Sequence, residues 1–298
     1  MKPPLDRRRL GRALTELANT GTAELPAAAE APRSGASVAR RIGLTGAPGA
    51  GKSTLAGRLA LHRAKRGGRI GVLAIDPTSP KSGGAILGDR IRMDDLEGSE
   101  DLFIRSLSSR TATDGLTDHL PELLDLMDRY GFDEVLLETV GVGQAEHAVR
   151  AQVDSLVLVL PPDGGDAIQA MKAGIMEIAD IYAINKSDMP QAAKMASEVK
   201  RIVSLADRSV EDWQPPVLMT SAQDPESIVG LSHQLDRHFE WLQEHGQHDA
   251  RRILRSRYRL RRWLERRIGA VIDRQPEVFF DKAVEQQAME VLRTLDLS

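Results

Sequence analysis

The nine residues Gly46-Ala-Pro-Gly-Ala-Gly-Lys-Ser-Thr54 carry the first chemistry of this chain, and the apolar run Arg41-Ile-Gly-Leu-Thr45 leads into them. From Gly46 to Ser53 they fit G-x-x-x-x-G-K-[ST], which denotes a phosphate-binding loop when a strand precedes it and a helix follows. Glycines let the main chain wrap phosphate oxygens, and amides at the start of the next helix point at their negative charge. Gly49, Ala50, Gly51 and Thr54 would offer main-chain groups, and Lys52 would reach the β- and γ-phosphates. The Ser53 hydroxyl would ligate Mg²⁺, a hard cation that keeps its other positions for phosphate oxygens and water. The ligand implied is a nucleoside triphosphate.

A second group lies far downstream. Asn185-Lys-Ser-Asp188 directly follows the apolar run Ile181-Tyr-Ala-Ile184, and N-K-x-D resembles the guanine-recognition motif of GTP-binding proteins. The physical reason is that a carboxylate at Asp188 can accept from both the ring N–H and the exocyclic amine of guanine. Adenine offers no such pair, so discrimination on the order of 10⁴ is within reach. Lys186 would lay its stem along the base and Asn185 would hold the loop. Thr220-Ser221-Ala222 ends a later apolar run and resembles the segment whose backbone amide meets the guanine carbonyl.

These groups need a scaffold that brings them to one edge. Short apolar runs recur as "RIGLT", "RIGVLAI", "LFIRS", "EVLLE", "SLVLVL", "IYAIN" and "PVLMT". Runs without polar alternation fit strands covered on both faces. Helical periodicity over 53 to 66, 117 to 130, 167 to 178 and 191 to 206 separates several of them, which predicts an α/β fold with a doubly wound, mainly parallel sheet and ligands at the carboxyl ends of its strands. Asp76 and Glu138 end two of the runs, where such a sheet would set them beside the phosphate loop as holders of Mg²⁺ and its waters. Capping of a following helix is the plainer use of an acid there.

Residues 6 to 19 place Leu10, Ala13, Leu14, Leu17 and Ala18 on one helical face, as in a docking helix. An Ala- and Pro-rich linker follows, so the expected division is an N-terminal extension over 1–39, a nucleotide-binding domain over 40–225 and a helical region over 226–298. In that last region Ile253, Leu260, Leu264, Ile268 and Val271 form a stripe among many arginines. The expectation is that the stripe packs inward and the basic face is solvated. With 40 Lys and Arg against 43 Asp and Glu, net charge -3 and 41% hydrophobic residues, nothing draws the whole chain to nucleic acid or to an anionic membrane. Cys is absent, so neither disulfides nor thiolate metal sites are available. No run approaches a membrane span or a signal peptide, and the chain reads as cytoplasmic.

Between the two nucleotide motifs stand "AIDPTSPKSGGAILGDRIRM" from 74, "LLETVGVGQAEHAV" from 136 and "PPDGGDAIQAMKAGIMEIAD" from 161. With "GAPGAGKST" and "NKSD" they resemble the methylmalonyl-CoA mutase-associated GTPases of the MeaB and ArgK type, over roughly Arg41 to Asp188. The resemblance implies a phosphate-loop GTPase that binds GTP or GDP with Mg²⁺ and dimerises partly through a C-terminal helical arm. It also implies a chaperone of an adenosylcobalamin-dependent acyl-CoA mutase, coupling GTP turnover to cofactor loading and protection, with an adenosyltransferase as a further partner. On matching motifs, Asp76 and Asp89 lie near Mg²⁺ and the first mobile loop, Glu138 begins the segment that senses the γ-phosphate through Gly141, and Asp166, Gln169 and Lys172 belong to a loop that reports nucleotide state. Gln144 stands three residues beyond Gly141, away from the position of a water-positioning glutamine in small GTPases. After "FIRSLSS" the chain keeps one glycine in "RTATDGL", where the family has a Gly-rich loop.

Two other readings are open at this level. A nickel-inserting maturation GTPase would need donors, for which His245 and His248 on either side of Gly246 are the nearest pair. A kinase or regulator of amino-acid transport would need an acceptor site, and none is visible.

Overall fold

The computed structural model describes residues 4–19, 38–77, 101–109, 119–139, 148–163, 175–206, 208–209 and 211–295. Among the described residues seven strands form one sheet: β1 Arg40–Thr45, β2 Ile70–Pro77, β3 Leu102–Ser109, β4 Glu134–Thr139, β5 Ser155–Leu160, β6 Ile181–Ile184 and β7 Val217–Met219. Their order is β3-β2-β4-β1-β5-β6-β7, and every pairing is parallel. From β1 the chain winds outward to β2 and β3, then crosses to β5, β6 and β7 after β4. Ligands of such sheets lie where that direction reverses, outside the carboxyl end of β1.

The apolar runs are strands because both faces are covered. All of β1, β5 and β6 is buried. On one face α2 (Lys52–Lys65) sets Leu55, Ala56, Leu59 and Ala60 against Ile42, Leu44, Val157 and Val159, alongside Leu231 and Leu235 of α6 (Pro225–Glu244). On the other, α1 (Arg7–Asn19) and α3 (Leu120–Arg129) place Leu10, Leu14, Leu123, Leu124 and Met127 over Leu73, Ile75 and Leu137. The expected apolar face of α1 is thus the buried one. Arg7 donates to the Leu102 carbonyl at 2.7 Å and Arg105 to the Thr15 hydroxyl at 2.6 Å, which fixes the helix against β3. The short α4 (Ile175–Ile178) and α5 (Ala192–Ser204) flank β6, with Met176, Met195 and Val199 packed against Leu158 and Tyr182.

The C-terminal part is helical as expected, with α7 (Gln247–Ile272), a 3₁₀ turn (Glu277–Asp281) and α8 (Val284–Thr294). The orientation of α7 corrects the reading from sequence. Ile253 and Leu260 are exposed at 47% and 59%, whereas Arg262 and Arg266 are buried at 9% and 8%. Arginines face the body because carboxylates wait there: Arg251 lies 3.4 Å from Asp180, Arg255 3.0 Å from Asp154, Arg259 2.6 Å from Asp125 and Arg266 2.9 Å from Glu122. Long arginine stems cover apolar surface while their heads find partners.

Asp180 is the hub of this region, at the amino edge of the sheet. It accepts from the Leu156 amide at 2.8 Å and faces Arg150 at 2.9 Å, Arg251 at 3.4 Å and Nε2 of His238 at 3.4 Å. Nδ1 of His238 lies 2.8 Å from the Ser155 hydroxyl, so the neighbours fit a neutral ring that accepts from Ser155 and donates toward Asp180. The Ser–His–Asp arrangement is fully enclosed and offers no substrate access. Burial pushes the Asp180 carboxyl up to about 6, against the pull of Arg150. Burial pushes His238 down to about 3, with Arg150 and Arg40 adding to the effect.

The two shifts act oppositely on stability. A histidine with a depressed folded value contributes fully above its unfolded value of 6.5 and loses that contribution as pH falls toward 3. A carboxyl raised from 3.8 to about 6 contributes below the lower value and loses it as pH rises through the upper one. The histidine shift is the larger, so this pair makes the protein less stable on going from pH 7 to 4.5. His238→Gln removes the histidine part, and its urea-unfolding free energy should fall less over that interval than that of the parent. Parallel pH profiles for the two proteins would contradict the assignment.

Candidate functional site

The loop between β1 and α2 takes its shape from three glycines with positive φ, Gly46, Gly49 and Gly51. At Gly46, φ is +142° and a Cβ would stand 2.1 Å from the Val159 carbonyl of β5; at Gly51, φ is +85° and a Cβ would stand 2.5 Å from Nδ2 of Asn185. Any side chain would push the loop off its neighbours. The N-cap of α2 is Gly51, which makes no side-chain cap bond, and this suits the first-turn amides to an anion.

Lys52 is buried and donates to the Ala47 carbonyl at 2.9 Å, so its ammonium is folded back over the loop. The Ser53 hydroxyl donates to Oε1 of Glu138 at 2.6 Å. Glu138 is 3% exposed and stands on β4 in register with Leu44 of β1 and Ala74 of β2. A hydroxyl and a carboxylate at one point, beside the loop lysine, are the hard oxygen donors that Mg²⁺ accepts, and the residues present fit that ion.

The loop after β6 is tied to the loop after β1. Asn185 donates to the Ala50 carbonyl at 2.8 Å and receives the Thr220 hydroxyl at 3.2 Å; Lys186 donates to the Gly49 carbonyl at 2.8 Å. Lys186 has φ +56°, a positive value that a non-glycine residue adopts at some cost, and its bond to Gly49 helps hold it there. The Ser221 hydroxyl donates to Oδ1 of Asp188 at 3.1 Å. That leaves the exposed Asp188 carboxylate with further lone pairs for a ligand.

The structure therefore brings Gly49, Ala50, Gly51, Lys52, Ser53, Thr54, Glu138, Asn185, Lys186, Asp188, Ser221 and Ala222 to one edge of the sheet. Asp76 closes β2 at that same edge, opposite Ser108 of β3, and its side chain lies outside the described part. Asp89, Gly141, Gln144, Asp166, Gln169 and Lys172 lie outside the described residues. Sequence reasoning missed Ala47, whose carbonyl holds Lys52, and Ser227, whose hydroxyl receives the Ser221 amide at 3.0 Å. No side-chain pattern marks a carbonyl. A hydroxyl three residues beyond Asp224, the N-cap of α6, was the available signal for Ser227.

The chain matches the family described as methylmalonyl-CoA mutase-associated GTPase MeaB over residues 10–276. This chain belongs to the MeaB family. The mouse methylmalonic aciduria type A homolog, a mitochondrial protein, is 41% identical over 194 residues, covering 65% of this chain and 47% of its own length. The GTPase ArgK of Escherichia coli is 39% identical over 196 residues, with 65% and 59% covered. A Pyrococcus abyssi relative is 42% identical over 207 residues, with 69% and 64% covered, so the chain spans less than two thirds of the length of the curated relatives it matches. A crystal structure titled LAO/AO transport system kinase has the same fold, with a TM-score of 0.70 over 97% of this chain and 93% of that one at 24% identity. The MeaB match lies over the parallel sheet and both nucleotide motifs, and α7 falls inside it.

Proposed function

We propose that this protein binds and hydrolyses GTP and couples the cycle to adenosylcobalamin loading and protection of a cobalamin-dependent acyl-CoA mutase. The observation that carries the reading is the bonding of Asn185 and Lys186 to the carbonyls of Ala50 and Gly49, which makes a base reader and a phosphate cradle parts of one site. Membership of a mutase-associated family supports the partner.

In this reading the Asp188 carboxylate accepts from the guanine ring N–H and amine, and the amide following Ser221 faces the guanine carbonyl. Lys52 leaves the Ala47 carbonyl for the β- and γ-phosphate oxygens, where its charge offsets the negative charge that builds as the bond to water forms. Ser53 and Glu138 would hold Mg²⁺, with Asp76 and Asp89 as further holders. Held there, such an ion would supply charge neutralisation for the β- and γ-phosphates. Gly141, Asp166, Gln169 and Lys172 relay nucleotide state to the mutase, and an adenosyltransferase supplies the cofactor. The protein works in the cytoplasm as a homodimer joined through its helical arm, for which the outward Ile253 and Leu260 provide apolar surface.

Hydrolysis by the isolated protein should be slow, because no arginine is placed over the phosphate loop among the described residues, and the cognate mutase should accelerate it at least several-fold. Turnover assays paired with analytical ultracentrifugation test this. Unchanged hydrolysis and the absence of a complex across the organism's cobalamin mutases would remove the proposal. A nickel-inserting role has less support. The His245 ring stacks on Trp241 at 4.7 Å and bonds its carbonyl, while His248 meets the edge of Phe239, so the two rings serve different partners.

A further inference from the structure

The arginines of α7 that reach the body recur as Arg251, Arg255, Arg259 and Arg266, with the buried Arg262 between the last two. At 3.6 residues per turn these five positions fall within an arc of about 80°, and Ile253, Leu260 and Leu264 fall on the opposite side. Their partners come from three places in the fold: Asp180 before β6, Asp154 before β5, and Asp125 and Glu122 on α3. Arg266 also meets Nδ1 of His119 at 2.9 Å. Among the described residues of α7, Tyr258 is the apolar side chain packed against the main core. An ordinary surface helix is held by its apolar stripe; this one is held by charge.

The junction to α6 is suited to movement. Gly246 stands between α6 and α7 with φ 64° and ψ 12°, and nothing lies within 4 Å of the place a Cβ would occupy. A glycine at positive φ between two helices is a point where a change of dihedral angles costs little.

We propose that the arginine ladder is an electrostatic clasp: the helical arm formed by α7 and α8 lifts from the body as a unit about Gly246, with ionic strength setting the docked fraction and the sheet staying folded. Arg251 is 20% exposed at its side chain and Arg259 34%, whereas Arg255 and Arg266 are enclosed with their carboxylates, so salt acts on the ladder chiefly through the pairs of Arg251 and Arg259. Among the described residues, separation breaks the ion pairs, the Arg266–His119 bond and the packing of Tyr258 and of the arginine stems, and it exposes carboxylates and guanidiniums to water, which solvates both.

The chain has no cysteine, so Lys200→Cys on α5 and Arg257→Cys on α7, both exposed and outside the ladder, accept a pair of spin labels in the full protein. One narrow distance is expected in about 0.1 M salt, where the screening length is about 10 Å. In about 1 M salt, where that length is about 3 Å, a second, longer distance should appear and the docked-to-lifted ratio should fall about tenfold. Far-UV circular dichroism should be unchanged. Asp125→Asn with Asp154→Asn should lower the ratio by a factor of roughly 10 in about 0.1 M salt and by less in about 1 M. Exchanging a pair, Asp154→Arg with Arg255→Asp, should restore more docking than either change alone. A distance distribution identical at both salt concentrations would overturn the clasp, and so would loss of helicity in step with the distance change. Should the substituted proteins fail to fold, the salt titration of the labelled parent decides by itself.

Discussion

Lys52→Ala should weaken nucleoside triphosphate binding by at least about 10²-fold while the empty protein keeps its fold. The ammonium is buried at 4% exposure and meets the Ala47 carbonyl at 2.9 Å, so it stands inside the loop that would surround the phosphates. Charge-assisted bonds from such a group contribute about 1.5–3 kcal/mol each, and two of them, to the β- and γ-phosphates, account for a loss of affinity of at least about 10²-fold. Binding to the folded state alone raises stability by about 2.7 kcal/mol at a ligand concentration a hundred times Kd. The parent should therefore show a GTP-dependent rise in melting temperature that the variant lacks. The melting temperature without nucleotide should change little, since the loss of the bond to Ala47 is offset by removal of a buried charge. Equal thermal shifts with GTP in both proteins would refute the placement of Lys52.

The second large effect is a change of base preference. Asp188→Asn replaces an acceptor-only carboxylate by an amide with one acceptor and one donor. Guanine presents two donors to that point, whereas xanthine presents a ring N–H beside a carbonyl. GTP affinity should fall by about 10³–10⁴-fold, and XTP should become the better ligand. The Ser221 hydroxyl, 3.1 Å from Oδ1 in the parent, can donate to the amide oxygen as well, so the side chain keeps its orientation. Competition of XTP and GTP against a fluorescent GDP analogue measures the reversal. A preference for GTP that survived the Asp188→Asn change would show that the base lies elsewhere.

The sheet was legible because its strands are short, continuous apolar runs, and such runs have one common explanation in an α/β chain. The phosphate loop and the N-K-S-D loop were legible because backbone chemistry restricts which residues can stand there; Gly46 and Gly51 are positions where a Cβ would collide with Val159 and Asn185. What escaped was the direction in which α7 faces. Helical periodicity reveals that a helix has two unlike sides, and the choice between them rests on what lies opposite. Here that was a set of acids, Glu122, Asp125, Asp154 and Asp180, on separate elements of the chain. His238 was equally hidden. An isolated histidine on a helix gives no sign that Asp180 and Ser155 will meet its two nitrogens.

Because Asn185 and Lys186 hold the main chain of the very loop that would grip the phosphates, disturbance at either end of a bound nucleotide travels to the other without crossing the sheet. Guanosine alone, or pyrophosphate alone, would have to organise both loops at its own expense. Fragments should then bind far more weakly than their joined affinity suggests, and cargo should depart in a single event rather than by peeling.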